Sequence, residues 1–407
     1  MMRGFAAFVC LLCLGFVGRA QGAETGPTQN ATMPVENVVQ LDNLPGIDAV
    51  VVQSKFYGYQ SAVDRGSTGN QPAYNYSVDL MWDREQKKYR LYAGGRWRRP
   101  GIPYGDGDHI LQYFSSTGQG GTWAPRGRPE FWTGYEEGHP GKWWSNNYLE
   151  PEVLKMKGLY HMFWQVQVNP GTTLDNGQTA AAGADRIGLS TSRDGLNWKR
   201  KTDRGIVVNI DRPANTALTH EEVIYVPDDP ERKPWWLYLH YLVDGQMRGH
   251  VRIRSQDPTT FDWRERERCR GMSQLGNQMA YANRTSAGRI FVRITFTTNT
   301  ALKREVPCLQ FSRDGLSWWG SVMLEGSKDT AKNRNCYFLG ISTLDGTGEL
   351  ERIGKNTYRA LYGATTCNSP VTMEIFDSKI GVGEVVIRFA ERRPAESSKP
   401  GASSDAN

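Results

Sequence analysis

Three acidic residues, Asp79, Glu152 and Glu222, stand at the same point of a phrase that recurs along this chain. The copies read VDLMWDREQKKYRLY at 78–92, PEVLKMKGLYHMFW at 151–164 and EVIYVPDDPERKPWWLYLHY at 222–241. Each is an apolar strand, a polar turn and an aromatic-rich strand. Aligned on Tyr89, Tyr160 and Trp235, the acids fall in register; Asp83 and Glu221 are the competing acids. Carboxyls that converge on one narrow space repel each other and lose solvation, which raises at least one pKa toward neutrality. Such a group can donate a proton while a second carboxylate acts as base or nucleophile, the pair that cleavage of a glycosidic bond requires. A third carboxyl can orient and tune the acid.

Strands alternate their faces with period two, so Ser77, Glu150 and His220 are expected to share faces with Asp79, Glu152 and Glu222 respectively. Around these, Arg96, Trp97, Arg98 and Arg99 follow a strand, where guanidinium groups can hold carboxylate or sulfate bidentately. The insertion at 124–148 carries Trp132, Trp143 and Trp144, which suit stacking on sugar rings. Glu150 and His220 complete the expected substrate contacts. The six histidines form no metal signature, and no cofactor is expected.

The elements that must position these residues are repeats. SRDGLNW at 192–198 returns almost unchanged as SRDGLSW at 312–318, with looser copies SSTGQGGTW at 115–123 and SQDPTTFDW at 255–263. Asp-Gly favours a tight turn and the Ser and Asp side chains hydrogen-bond its backbone. The Trp is expected to pack between sheets. Two weaker copies of the aromatic phrase, at 278–296 and 350–362, make five, anchored by Tyr89, Tyr160, Trp235, Ile290 and Tyr358. Each period holds about four short strands with no helical period between them, which predicts an all-β, five-bladed β-propeller over residues 38–390. The segment Val38 to Tyr57 is expected to close the ring against the last blade.

At this point the chain resembles the five-bladed furanosidase superfamily, glycoside hydrolase families 43, 62 and 32. PEVLKMKGLYHMFW resembles the second-blade phrase of family 43, and the Ser-x-Asp-Gly-x-x-Trp endings resemble its blade ends. The resemblance implies Asp79 as base or nucleophile, Glu152 as modulator and Glu222 as acid. It also places the family's blade-one Asp near Ser77 and its blade-three Glu near Thr219; only Glu152 stands where the pattern puts it. A channel calcium occurs in some relatives, but nothing in this sequence specifies one. A six-bladed sialidase reading fits less well, because Asp and Gly are adjacent here and no arginine triad is traceable.

Composition bounds the rest. The 407 residues carry 49 Lys plus Arg against 43 Asp plus Glu, a net +6 without a concentrated basic face, which excludes a nucleic-acid partner. Arg3, the apolar run Phe5–Val17 and the small residues Gly18 and Ala20 read as a signal peptide over 1–20, predicting a secreted or periplasmic protein with no membrane anchor afterwards. Residues 391–407 read as a disordered tail. Cys269, Cys308, Cys336 and Cys367 would then remain, as two disulfides of three possible pairings or as four free thiols. Asn30, Asn75 and Asn283 sit in glycosylation sequons. The expected protein is a monomeric glycoside hydrolase acting on a polysaccharide or oligosaccharide. The rival functions are a non-catalytic glycan-binding propeller and a polysaccharide lyase, the latter suggested by the arginine cluster.

Overall fold

The computed structural model describes residues 35–40, 47–59, 75–96, 108–119, 122–126, 148–168, 185–201, 207–209, 216–272, 278–300, 304–324, 335–367 and 379–391, with a few positions between 170 and 180. Two strands open it, β1 (Val35–Gln40) and β2 (Ile47–Tyr59). Blade one is β3 (Asn75–Asp83), β4 (Lys88–Arg96), β5 (Asp108–Ser115) and β6 (Ala124–Pro125). Blade two is β7 (Tyr148–Met156), β8 (Leu159–Val166), β9 (Arg186–Ser192) and β10 (Lys199–Arg200). After β11 (Val208–Asn209), blade three runs through β12 (Thr216–Tyr225), β13 (Trp235–Val243) and β14 (Gln246–Ser255). Then β15 (Phe261–Asp262) pairs back with β11, and β16 (Glu267–Arg268) ends the blade. Blade four is β17 (Met279–Thr285), β18 (Gly288–Asn299), β19 (Arg304–Ser312) and β20 (Trp319–Met323). Blade five takes β21 (Asn335–Ile341), β23 (Glu351–Gly354), β24 (Thr357–Cys367) and β25 (Lys379–Glu391), while β22 (Thr343–Leu344), between β21 and β23, joins the sheet of blade one.

These sheets form a five-bladed β-propeller. The ring closes as expected from the sequence: β2 pairs antiparallel with β25 from Ile47 to Tyr59, so the start of the chain completes the last blade. Blades pack face to face through apolar clusters. Leu154, Phe163, Val223 and Leu237 fill the space between blades two and three, and Ile224, Trp236 and Phe291 that between three and four. An inner strand is therefore buried on both faces, as β7 is along most of its length, and any polar side chain on it must find its partners inside.

The fifth blade differs from the sequence expectation. The strand in LERIGKNTYRALY that precedes its aromatic anchor is not the inner strand. It is β23, which pairs only with the first residues of β24, whereas β21 occupies the inner place and pairs with Tyr362–Cys367. Between them the chain leaves its blade and crosses the ring. The β22 strand pairs parallel with Met81–Trp82 of β3. The carbonyls of Asp345, Thr347 and Gly348 then accept the amides of Lys155, Tyr225 and Tyr281, at 2.7, 2.9 and 2.6 Å. One short segment thus bonds to the inner strands of four blades and spans the lower end of the ring.

Gly346 makes that crossing possible. Its φ is +71°, and a Cβ there would lie 1.9 Å from the Val153 carbonyl oxygen. Gly346→Ala is expected to cost roughly 2–5 kcal/mol, from the left-handed backbone and the overpacking together. Thermal unfolding measures it; an unchanged Tm would show that the crossing contributes no stability.

The repeated Ser-x-Asp-Gly turns are latches between blades. Ser192 Oγ accepts the Gly195 amide at 2.9 Å and Asp194 Oδ1 accepts the Leu196 and Asn197 amides at 2.8 Å, with the same pattern at Ser312 and Asp314. The preceding blade reaches over each. Arg90 donates to the carbonyls of Asp194 and Gly195, and Arg252 to that of Asp314. Trp198 lies edge-on to Tyr92 of blade one and Tyr160 of blade two, as the sequence predicts for a residue between sheets.

Candidate functional site

Pairing registers place the three acids at equivalent positions. Asp79 pairs with Tyr92, Glu152 with Phe163 and Glu222 with Tyr238, each three residues beyond its blade's aromatic anchor. Just above each acid the inner strand carries one extra residue, with register breaks between Tyr76 and Val78, Leu149 and Glu152, and Thr219 and Glu222. Two residues in these bulges, Ser77 (φ +53°) and Glu150 (φ +48°), adopt the left-handed region without being glycine. The conformation costs roughly 1–2 kcal/mol per residue, and strain of this kind gathers at functional sites. At Ser77 and Glu150 the bulges break the alternation on which a face shared with the acids was expected. Strict alternation holds only in an unbroken strand, and a bulge re-aims the residues on either side.

Two of the acids meet. Asp79 is 1% exposed and Glu152 is 5% exposed. Both accept hydrogen bonds from the side-chain nitrogen of Gln278, just ahead of β17 in blade four. This nitrogen lies 3.1 and 3.3 Å from the two Glu152 oxygens and bonds to Asp79 Oδ1. The other Asp79 oxygen accepts the Val153 amide at 3.0 Å. Burial drives the Asp79 pKa up to about 8, against hydrogen bonds from Val153, Gln278 and Leu80 that favour the charged form. Burial therefore favours the protonated form of Asp79. Its folded pKa lies above its unfolded value, so the stability it contributes is complete below about pH 4. That contribution is lost progressively as pH rises toward 8.

The third acid, Glu222, holds the equivalent register position in blade three and is 5% exposed. Its charge acts on Arg293 of β18, in blade four, which is fully buried. Burial weakens the Arg293 cation, and the Glu222 charge is the largest influence opposing that loss. The structure thus joins Asp79 to Glu152 through Gln278, while the Glu222 charge acts on a buried arginine of the neighbouring blade.

Of the other expected contacts, Glu150 is buried in its bulge. Arg96 and His220 are described as strand backbone only, and Trp97, Trp132, Trp143 and Trp144 lie outside the described residues. So do residues 1–20 and 392–407. Cys269 and Cys308 are free and buried. The side chains of Cys336 and Cys367 are among those not described.

Gln278 carries no titratable group and so gives no signal of this role in the sequence, although it is the first residue of the fourth aromatic phrase. Asp83, a competing acid in the sequence, instead anchors a buried ion-pair network with Arg90 and Lys155. Among the described residues no three His, Cys, Asp or Glu side chains gather to hold a metal ion. Two cavities lie away from the carboxyl pair. One of about 390 Å3 sits at the lower end of the ring beside Arg84, Tyr225 and Asp345, and one of about 410 Å3 lies between blades three and four.

Fold and geometry together define a five-bladed β-propeller with a buried carboxyl pair on adjacent inner strands. No family model and no curated protein matches the chain. Solved structures of similar form include a GH62 hydrolase in complex with xylotriose (11% identity, 81% of this chain and 97% of that one, TM-score 0.49). A glycosyl hydrolase from Bacteroides ovatus is similar over 86% of this chain and 93% of its own, at 10% identity and TM-score 0.47. An exo-1,5-alpha-L-arabinanase from a bovine ruminal metagenomic library is similar over 78% and 94%, at 14% identity and TM-score 0.44. No helix among the described residues is long and apolar enough to cross a membrane.

Proposed function

We propose that this chain is a secreted glycoside hydrolase that acts on a polysaccharide or oligosaccharide with Asp79, Glu152 and Glu222. The observation that carries the reading is the Asp79–Glu152 pair: two carboxyls from consecutive inner strands, gathered on one amide, with burial raising the Asp79 pKa toward neutrality. A protonated buried carboxyl suits the acid that donates to a leaving oxygen. Asp79 therefore takes the acid's part rather than the base's, Glu152 tunes it, and Glu222 supplies the second carboxylate that glycoside cleavage needs. The bulged, strained turns at Ser77 and Glu150 sit directly above the pair. The aromatic insertion and Arg96 are the proposed sugar contacts.

Incubation of the protein with a panel of plant, algal and microbial glycans tests the reading, with released reducing ends and product anomers measured. Release from at least one glycan supports it, and the anomer gives inversion or retention directly.

A second reading, a glycan-binding propeller without catalysis, is favoured by Ser77 and Thr219. They stand where the resemblance puts the blade-one and blade-three acids. Saturable binding to a glycan with no product over long incubation selects it and ends the hydrolase assignment.

A further inference from the structure

We propose that Gln278 is a positioning residue for the carboxyl pair, its amide nitrogen holding Asp79 and Glu152 together so that they titrate as one unit. The inference rests on the hydrolase reading for its effect on turnover, but not for its effect on titration. Every polar group of Gln278 is committed. Its main chain is fixed within and beside blade four, by the bond from its amide to the Leu339 carbonyl at 3.2 Å and from the Ile294 amide to its carbonyl at 3.1 Å. Its side-chain oxygen accepts the Ile341 amide of β21 at 2.6 Å. That bond settles which end of the amide faces the acids. The oxygen is taken up by a donor from blade five, so the nitrogen must point to blades one and two. A single side chain therefore joins four of the five blades across the ring, and its two N–H groups are spent on the two carboxyls.

This geometry has an electrostatic consequence. Two buried carboxylates close together repel, and one shared donor cannot neutralise both, so one proton is retained while the other carboxyl is ionised. The donor favours the ionised form of Asp79. Other ionisable groups that the surrounding strands bring to this level are Tyr92 of β4, Tyr148 and Glu150 of β7, Glu222 of β12 and Arg293 of β18. The influences on Asp79 are burial and hydrogen bonds, with Gln278 the side chain among them, so removing it acts on the pair's own balance.

The test compares wild type with Gln278→Met, which keeps length without a donor, and Gln278→Glu, which keeps shape, using Asp79→Asn as the control. Thermal stability is followed from pH 4 to 10 on each full-length protein. In wild type, stability falls as pH rises and the fall levels off near pH 8. In Asp79→Asn that fall is reduced. In Gln278→Met the fall should continue about one to two pH units further before levelling off, because a hydrogen bond to the charged form has gone. Gln278→Glu should shift it at least as far. Turnover on a cleaved glycan should drop at least tenfold in kcat with KM within threefold, and the alkaline limb of its pH profile should move up by the same interval. If both variants follow the wild-type pH dependence, Gln278 does not position the pair and the proposal fails. If wild type cleaves no glycan, the hydrolase reading fails alone, and the pH dependence of stability still decides the role of Gln278.

Discussion

Asp79→Asn is expected to lower kcat/KM by about 10²–10⁴-fold on any glycan the wild type cleaves, the range that a positioned proton donor contributes. The substitution is nearly isosteric and removes an acid whose protonated form burial favours, so the fold should persist, with a far-ultraviolet spectrum and Tm close to wild type at pH 7. Glu222→Gln should also remove most activity, but it withdraws the charge that most offsets the burial of Arg293, so it should lower Tm as well. The contrast separates chemistry from support. Wild-type turnover in Asp79→Asn would end the assignment of that carboxyl as the acid, whatever Glu222→Gln does.

Asp83→Ala is expected to produce the largest loss of stability, about 3–5 kcal/mol, or roughly 4–7 °C in Tm for a chain of this size. Asp83 and Arg90 are both wholly buried, with Arg90 Nε 3.0 Å from Asp83 Oδ2. Tyr160 Oη donates to the same carboxylate at 2.5 Å, Lys155 Nζ lies at 3.2 Å and the Gln86 amide at 3.1 Å. Burial pushes the Asp83 pKa up, but these donors and the charges of Arg90 and Lys155 outweigh it and hold the carboxyl below its ordinary range. Its contribution is therefore present above about pH 4 and lost as pH falls further. Removing the carboxylate leaves a buried guanidinium with neutral partners, among them Tyr160, Tyr92 and the carbonyls of Asp194 and Gly195, but without the carboxylate that balances its charge. The latch between blades one and two should loosen with it. Limited proteolysis near residues 193–198 offers a second measurement, and unchanged resistance together with an unchanged Tm would contradict this account.

Much of the fold was legible because its signals are local. The turn in SRDGLNW is specified by Ser, Asp and Gly side chains and backbone within four residues, so the phrase announces a blade edge wherever it stands. Likewise, the aromatic anchors carried the register of the acids correctly, since hairpin pairing fixes it. What stayed hidden is non-local or conformational. The inner strand of blade five bears no repeated phrase, because β21 is separated from its aromatic partner strand by the segment that crosses the ring. Ser77 and Glu150 take a glycine-like backbone with ordinary residues, which no spacing reveals. Gln278 reaches Asp79 across 199 positions of sequence, and nothing local to QMAYAN states that contact. Glu222 matches its two counterparts in register, and its influence on the buried Arg293 comes from a strand of another blade, 71 positions away in sequence.

The segment that crosses from β22 to β23 makes the ring behave as a wheel on a hub. Blades joined only to their neighbours would peel away one at a time, as repeats do in an open array. Here the amides of Lys155, Tyr225 and Tyr281, in three different blades, end on one short stretch of backbone that is itself paired with a fourth. No blade can open without unseating that stretch for all the others, so the five sheets are bound to melt together, and damage at the hub is felt at every spoke.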